Sequence, residues 1–101
     1  MKIYIAGKIT GDRHYKRKFA RVERKLSRKG HGVMNPARLG AHPDFTWKDY
    51  MVISGAMLRR CSAILMLPDW RESKGALIEY ELAKKRKMAF FFDLRDIPKE
   101  K

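Results

Sequence analysis

Four short apolar runs alternate along the chain with three longer stretches in which apolar residues recur at helical spacing. "KIYIAG", residues 2–7, is rich in β-branched and aromatic residues and ends in glycine, as a strand does before a turn. "HGVMNP", 31–36, is a second short strand, stopped by Pro36 because the residue before a proline is pushed away from helical geometry. "SAILML", 62–67, is a continuous apolar run of the kind buried on both faces of a sheet, and "MAFFFDL", 88–94, reads as a last buried strand. Between the first two, "DRHYKRKFARVERKLSRKG" places Tyr15, Phe19, Val22 and Leu26 on one helical face. A second helix is predicted from Trp47 to Arg60 on Tyr50, Ile53, Met57 and Leu58, with Gly55 as a soft point, and a third over "SKGALIEYELAKK", 73–85. "ARLGAHPDFT" and "PDWRE" read as loops. Strand and helix in strict alternation predict an α/β fold, a parallel sheet covered by helices on both faces. Ligands of such sheets bind outside the carboxyl ends of the strands, where strand order reverses.

One helix face then poses a chemical question. Helical neighbours lie three and four positions apart, so Glu81 faces Lys84 and Lys85, whereas Glu79 sits among Gly75, Ala76, Leu82 and Ala83 with no cation at those spacings. A carboxylate on a small, apolar face is costly unless something uses it. Ser73 is a helix N-cap candidate, and a helix start with a hydroxyl is also a seat for an anion. Glu79 follows six residues later, roughly 9 Å along the axis. That separation lets one helix hold a phosphate at its start and present a carboxylate to the attached sugar.

Composition narrows the partners. The chain has 101 residues, 45% of them hydrophobic, enough for one core and too few for two. The domain is placed at residues 1–95; "RDIPKEK" reads as a polar end that frays, with 96–101 outside the domain. No stretch approaches the length of a membrane span, "MKIYIAG" is unlike a secretory leader, and a lone cysteine, Cys61, fits core packing in a reducing compartment. The expected location is cytoplasmic. A formal charge of +13 favours anionic partners: phosphates, nucleotides or nucleic acid. Much of it lies around the first helix, a pattern compatible with a solvated surface or with a nucleic-acid groove binder.

Other candidates carry two readings each. In "AGKITG", Gly7, Lys8, Thr10 and Gly11 can offer N–H groups, an ammonium and a hydroxyl to a phosphate, or form a plain glycine turn. The loop is neither a Walker loop nor a dinucleotide fingerprint. Asp69 and Trp70 could contact a ribose and stack a base, or serve as a loop carboxylate and a half-buried indole. Asn35 could approach a ligand from the second strand end, or open the turn before Pro36. Trp47 and Tyr50 read as core more readily than as rings that stack a base. His14, His31 and His42 fall at irregular spacing, so neither a metal nor another cofactor is expected.

"YIAGKITG", the "NP" after the second strand, "WKDYM" and "CSAILMLPDWRESKGALIEYELA" together resemble the nucleoside 2-deoxyribosyltransferase superfamily over nearly the whole chain. The likeness is greatest to its small phage and prophage branch, and the chain is also similar to 2'-deoxynucleoside 5'-phosphate N-hydrolases. The most specific part is the spacing of Ser73, Gly75 and Glu79. The resemblance implies Glu79 as nucleophile at the anomeric carbon, Tyr4 near the sugar or the glutamate, and phosphate contacts from Ser73 and the loop of Gly7, Lys8 and Thr10. It implies a homo-oligomer as well. Three positions depart from the family pattern: Ser62 and Ser54 stand where acidic residues are common, and Lys8 where proline or serine is. Asp69 and Asp49 are the acids that could replace the missing proton donor, from a loop or a partner subunit.

The combined reading is a single three-layer α/β/α domain, Rossmann-like or flavodoxin-like, with a four-stranded parallel sheet in the order 2-1-3-4. Its function is cleavage or exchange of the N-glycosidic bond of a 2'-deoxynucleoside or its 5'-monophosphate. Two alternatives stand beside it: a nucleotide-binding or sequestering module without turnover, and a basic nucleic-acid-binding protein.

Overall fold

A computed structural model describes residues 1–100. Four strands, β1 (Lys2–Ala6), β2 (Gly32–Met34), β3 (Ala63–Met66) and β4 (Ala89–Phe91), form one sheet in the order β2-β1-β3-β4, every pair parallel. Three helices connect them: α1 (Tyr15–Arg28), α2 (Trp47–Arg59) and α3 (Lys74–Lys85). Chain direction along the sheet reverses after β2. Right-handed crossovers therefore put α1 on one face and α2 and α3 on the other, which gives the three layers predicted from the sequence.

The period-2 geometry of β1 sorts the core. Ile3 and Ile5 point to the α1 face, where they join Phe19, Leu26, Ala63 and Leu65. Tyr4 and Ala6 point to the opposite face, among Leu58, Ile64, Met66, Ala76 and Ala83. Tyr4 is fully buried, which places a phenol in the layer beneath α2 and α3.

Helix boundaries follow local chemistry. The Ser73 hydroxyl accepts the Ala76 N–H at the start of α3. α2 opens with a reciprocal capping box in which Thr46 accepts the Asp49 N–H and the Asp49 carboxylate accepts the Thr46 N–H. Short 3-10 turns form where the second strand run passes into the first predicted loop, Pro36–Leu39, and within the second predicted loop, Trp70–Glu72.

Two expectations need correction. β4 is an edge strand and only half covered, with Phe92 just beyond it 52% exposed; a continuous apolar run does not reveal that its outer side lacks a neighbour. Nor do residues 95–100 of the polar end stand free of the domain. α1 alone cannot cover its face of the sheet, and Ile97, 1% exposed, fills the remainder. Lys29 Nζ donates to the carbonyls of Leu94 and Ile97 at 3.0 and 2.7 Å, and the Glu100 N–H donates to the Lys29 carbonyl. Lys29 and His31, from outside the segment, bond its backbone carbonyls while one isoleucine anchors it.

Candidate active site

The reversal of strand order lies between β1 and β3, and the loops that leave their carboxyl ends run side by side. The Leu67 N–H donates to the Ala6 carbonyl at 2.8 Å. Gly7 is required by this closeness: a Cβ there would lie 2.8 Å from Leu67 Cδ1. Beyond it the first loop is tied to the second. Asp69 accepts the Lys8 N–H, and Lys18 Nζ bonds Asp69, Asp12 and the Lys8 carbonyl together.

Above these loops a cleft of about 700 Å³ opens between α2, α3 and the Pro36–Leu39 turn. Its size and mainly apolar lining with a few polar groups are those of a small-molecule site. Gly7, Thr10, Ser73, Gly75 and Glu79, all named from the sequence, line it. Glu79 is the buried acid of the site, 7% exposed, with the Tyr4 hydroxyl donating to its Oε2 at 2.5 Å. Ser54, also buried, lines the cleft from α2, where its hydroxyl donates to the Met51 carbonyl at 3.4 Å.

Burial pushes the Glu79 carboxyl from its ordinary 4.5 up to about 7, against the opposing pull of the Tyr4 and Ser54 hydroxyls. Burial also raises the Tyr4 phenol well above its usual value, and the neighbouring Glu79 charge adds to the rise. Tyr4 is thus a permanent donor. Glu79 lies close to the midpoint of its titration at neutral pH.

The other sequence candidates lie outside the cleft lining. Asn35 accepts the Ala37 N–H and donates to Glu23, as a turn opener does. Asp69 is occupied by Lys18 and the Lys8 N–H. Trp70 is core, stacked on Tyr80 with centroids 4.8 Å apart. Lys8 Nζ pairs with Glu72 at 3.8 Å, and Gly11, at φ +86°, shapes the turn. Asp49 is held in its capping box. Ser62 is exposed near the start of β3, away from the cleft lining, whereas Ser54 stands beside Glu79.

Several lining residues were not legible as such. Trp47 was expected in the core but is 42% exposed, lines the cleft, and carries Lys74 Nζ 4.8 Å from its ring centroid. Tyr50 and Tyr15 line it too, and Glu72 is its second carboxylate. An aromatic residue at helical spacing looks the same whether it faces a core or a cavity. Only Glu72, one residue before the Ser73 cap, carried a positional hint. Among the described residues no cluster of His, Cys, Asp or Glu suits a metal ion.

A parallel α/β domain with a buried carboxylate and a capped helix start at its topological switch point has the layout at which open α/β sheets in general bind ligands. The chain belongs to the family described as a domain of unknown function, DUF4406, which matches residues 1–92. Its fold is similar to that of the 2-deoxyribosyltransferase from the psychrotolerant bacterium Bacillus psychrosaccharolyticus, with a TM-score of 0.64 at 15% identity, over 100% of this chain and 93% of that one. No curated protein sequence matches it.

Proposed function

We propose that this protein cleaves or exchanges the N-glycosidic bond of a 2'-deoxynucleoside or its 5'-monophosphate, with Glu79 as nucleophile. The observation that carries this reading is the Glu79 carboxylate, buried at the cleft, free of any cation partner among the described residues and held by the Tyr4 hydroxyl. The fold likeness to a 2-deoxyribosyltransferase supports the reaction class.

In the reaction an ionised Glu79 oxygen bonds to the anomeric carbon as the carbon–nitrogen bond breaks, and the base leaves with that electron pair. Tyr4 fixes which oxygen attacks. The leaving base takes a proton from water. Water then opens the glycosyl ester to give the free sugar, or a second base attacks to give a new nucleoside. The Ser73 hydroxyl and the N–H groups at the start of α3 receive a 5'-phosphate, aided by Thr10 and the backbone at Gly7.

We also assign a homo-oligomer. Val52 on α2 and Leu77 and Ile78 on α3 are exposed, and they border a second, shallower depression that reaches Glu79 from the outer side. An apolar face of that kind fits a second copy of the chain.

A nucleotide-binding module without turnover is the second reading, favoured by a serine at position 54 where the family pattern has an acid. Chromatography of deoxynucleosides and their 5'-monophosphates incubated with wild type and Glu79→Gln separates the two. Free base formed by wild type alone is the expected result. Nucleotide binding without base release at high enzyme concentration overturns the catalytic reading in favour of the module.

A further inference from the structure

α1 carries a charge pattern that the cleft does not use. Arg17, Arg21, Arg24 and Arg28 are spaced four, three and four apart, so they form one line along the helix, roughly 16 Å long. They lie opposite Phe19 and Leu26, which face the core. All four are exposed, as are the flanking Lys16 and Lys25, and none of the six makes an ion pair or side-chain hydrogen bond among the described residues. The acids near α1 are already taken: Glu23 by Arg38, and Asp12 by Lys18.

This face also connects with the cleft. A groove of about 340 Å³ between α1 and the Pro36–Leu39 turn is bordered by Lys16, Arg24 and Arg38, with Glu23 as its one carboxylate. It meets the cleft at Gly40, which lines both, and on α1 Tyr15 lines the cleft while Lys16 lines the groove. No side chain narrows the space at that residue, since a Cβ built on Gly40 would meet nothing within 4 Å.

We propose that the arginine line of α1 is a docking surface for a single nucleic-acid strand, and that the Lys16–Arg24–Arg38 groove leads that strand toward the cleft. Guanidinium groups in a row suit a chain of phosphates better than one monomer, which could engage only one or two of them. A membrane surface does not fit. The exposed large apolar residues, Phe45, Trp47, Val52, Leu77, Ile78 and Phe92, all lie on other segments, so nothing on this face can insert between lipids. A single strand fits better than a duplex because the cleft has room for one unstacked nucleotide, with Trp47 and Tyr50 available as stacking rings. The step from surface to cleft rests on the glycosyl reading of Glu79; the surface itself does not.

Fluorescence anisotropy of a labelled single-stranded deoxyoligonucleotide of about 20 nucleotides tests the surface. Wild type is expected to bind with steep salt dependence, and a triple Arg17→Ala, Arg21→Ala, Arg28→Ala variant, its fold checked by circular dichroism, to bind about tenfold or more weakly with a salt slope smaller by about 2. Unchanged affinity in that variant overturns the proposal, as does equal displacement of the strand by polyglutamate, which would mark a general polyanion surface. Base release is measured in parallel on the strand and on monophosphates. Strand binding with no release from either substrate overturns the Glu79 chemistry alone; release from monophosphates without strand binding overturns the surface alone.

Discussion

The Tyr4 hydroxyl, at the centre of the sheet, donates to Glu79 Oε2 on α3 across 75 positions of sequence. Both groups are buried, so the hydrogen bond is made where water competes weakly and each partner fixes the other's state. Tyr4 stays protonated and orients the carboxylate. Glu79, raised to about 7, keeps an appreciable ionised fraction at neutral pH.

That raised value has a thermodynamic counterpart. The folded protein holds the Glu79 proton more tightly than the unfolded chain does. The resulting stability is therefore fully present below about pH 4.5 and is lost as the pH rises through about 7. Glu79→Gln removes this loss. At pH 8 the variant is expected to be more stable than wild type by about 3 kcal/mol, with the gap closing below pH 4.5. Urea unfolding at both pH values checks this, and parallel stability profiles for the two proteins would count against a raised Glu79.

Base release by wild type should rise with an apparent pKa near 7, as the nucleophile ionises. Tyr4→Phe removes a hydrogen bond that favours the ionised form, so the rising limb should move to higher pH and the maximal rate should fall. A pH–rate profile of both proteins on one substrate is the measurement. An unmoved limb would mean that Tyr4 does not act on Glu79 in the working enzyme.

Ser73 has a structural and a proposed binding role, and they separate in kinetics. Ser73→Ala loses the cap on α3, worth about 1 kcal/mol by thermal unfolding. If the helix start also holds a phosphate, KM for monophosphates should rise severalfold while that for nucleosides stays nearly level. Equal changes for both substrates would reduce Ser73 to a cap.

The docked end of the chain predicts a core-sized effect from a residue in a polar segment. Ile97→Ala should destabilise by about 2–4 kcal/mol, since the side chain is fully enclosed on the α1 face. A change below about 0.5 kcal/mol, the level of an ordinary surface substitution, would show that the segment is not part of the core in solution.

Ile78→Glu places a charge on the exposed α2–α3 face and should shift the proposed oligomer to monomer in light scattering, with the helical spectrum unchanged. An identical mass for wild type and variant removes that face as the assembly surface.

How much of this was legible depends on the range of the forces involved. Tyr15, Phe19, Val22 and Leu26 announced α1 because a helix repeats its buried face locally. Ile3 and Ile5 against Tyr4 and Ala6 follow from the same kind of local rule in a strand. Ser73 could be read as a cap and Glu79 as an unpartnered acid because both roles are set within four residues along a helix. Asn35, Asp69 and Trp70 could not be assigned this way. Their partners, Glu23, Lys18 and Tyr80, lie 10 to 51 positions away, and residue type alone leaves ligand contact and structural contact equally open.

The sequence by itself determined the order of strands and helices, the parallel three-layer fold, and a carboxylate on a small-residue face, because each is a periodic or nearest-neighbour property of the chain. Tertiary structure decided what that carboxylate meets. It brought Tyr4 beneath Glu79, turned Trp47 from expected core to cleft wall, withdrew Asp69 into an ion pair with Lys18, and seated Ile97 on the open part of the sheet. Those outcomes depend on which surfaces remain uncovered once the layers have packed, a condition set by the whole assembled domain.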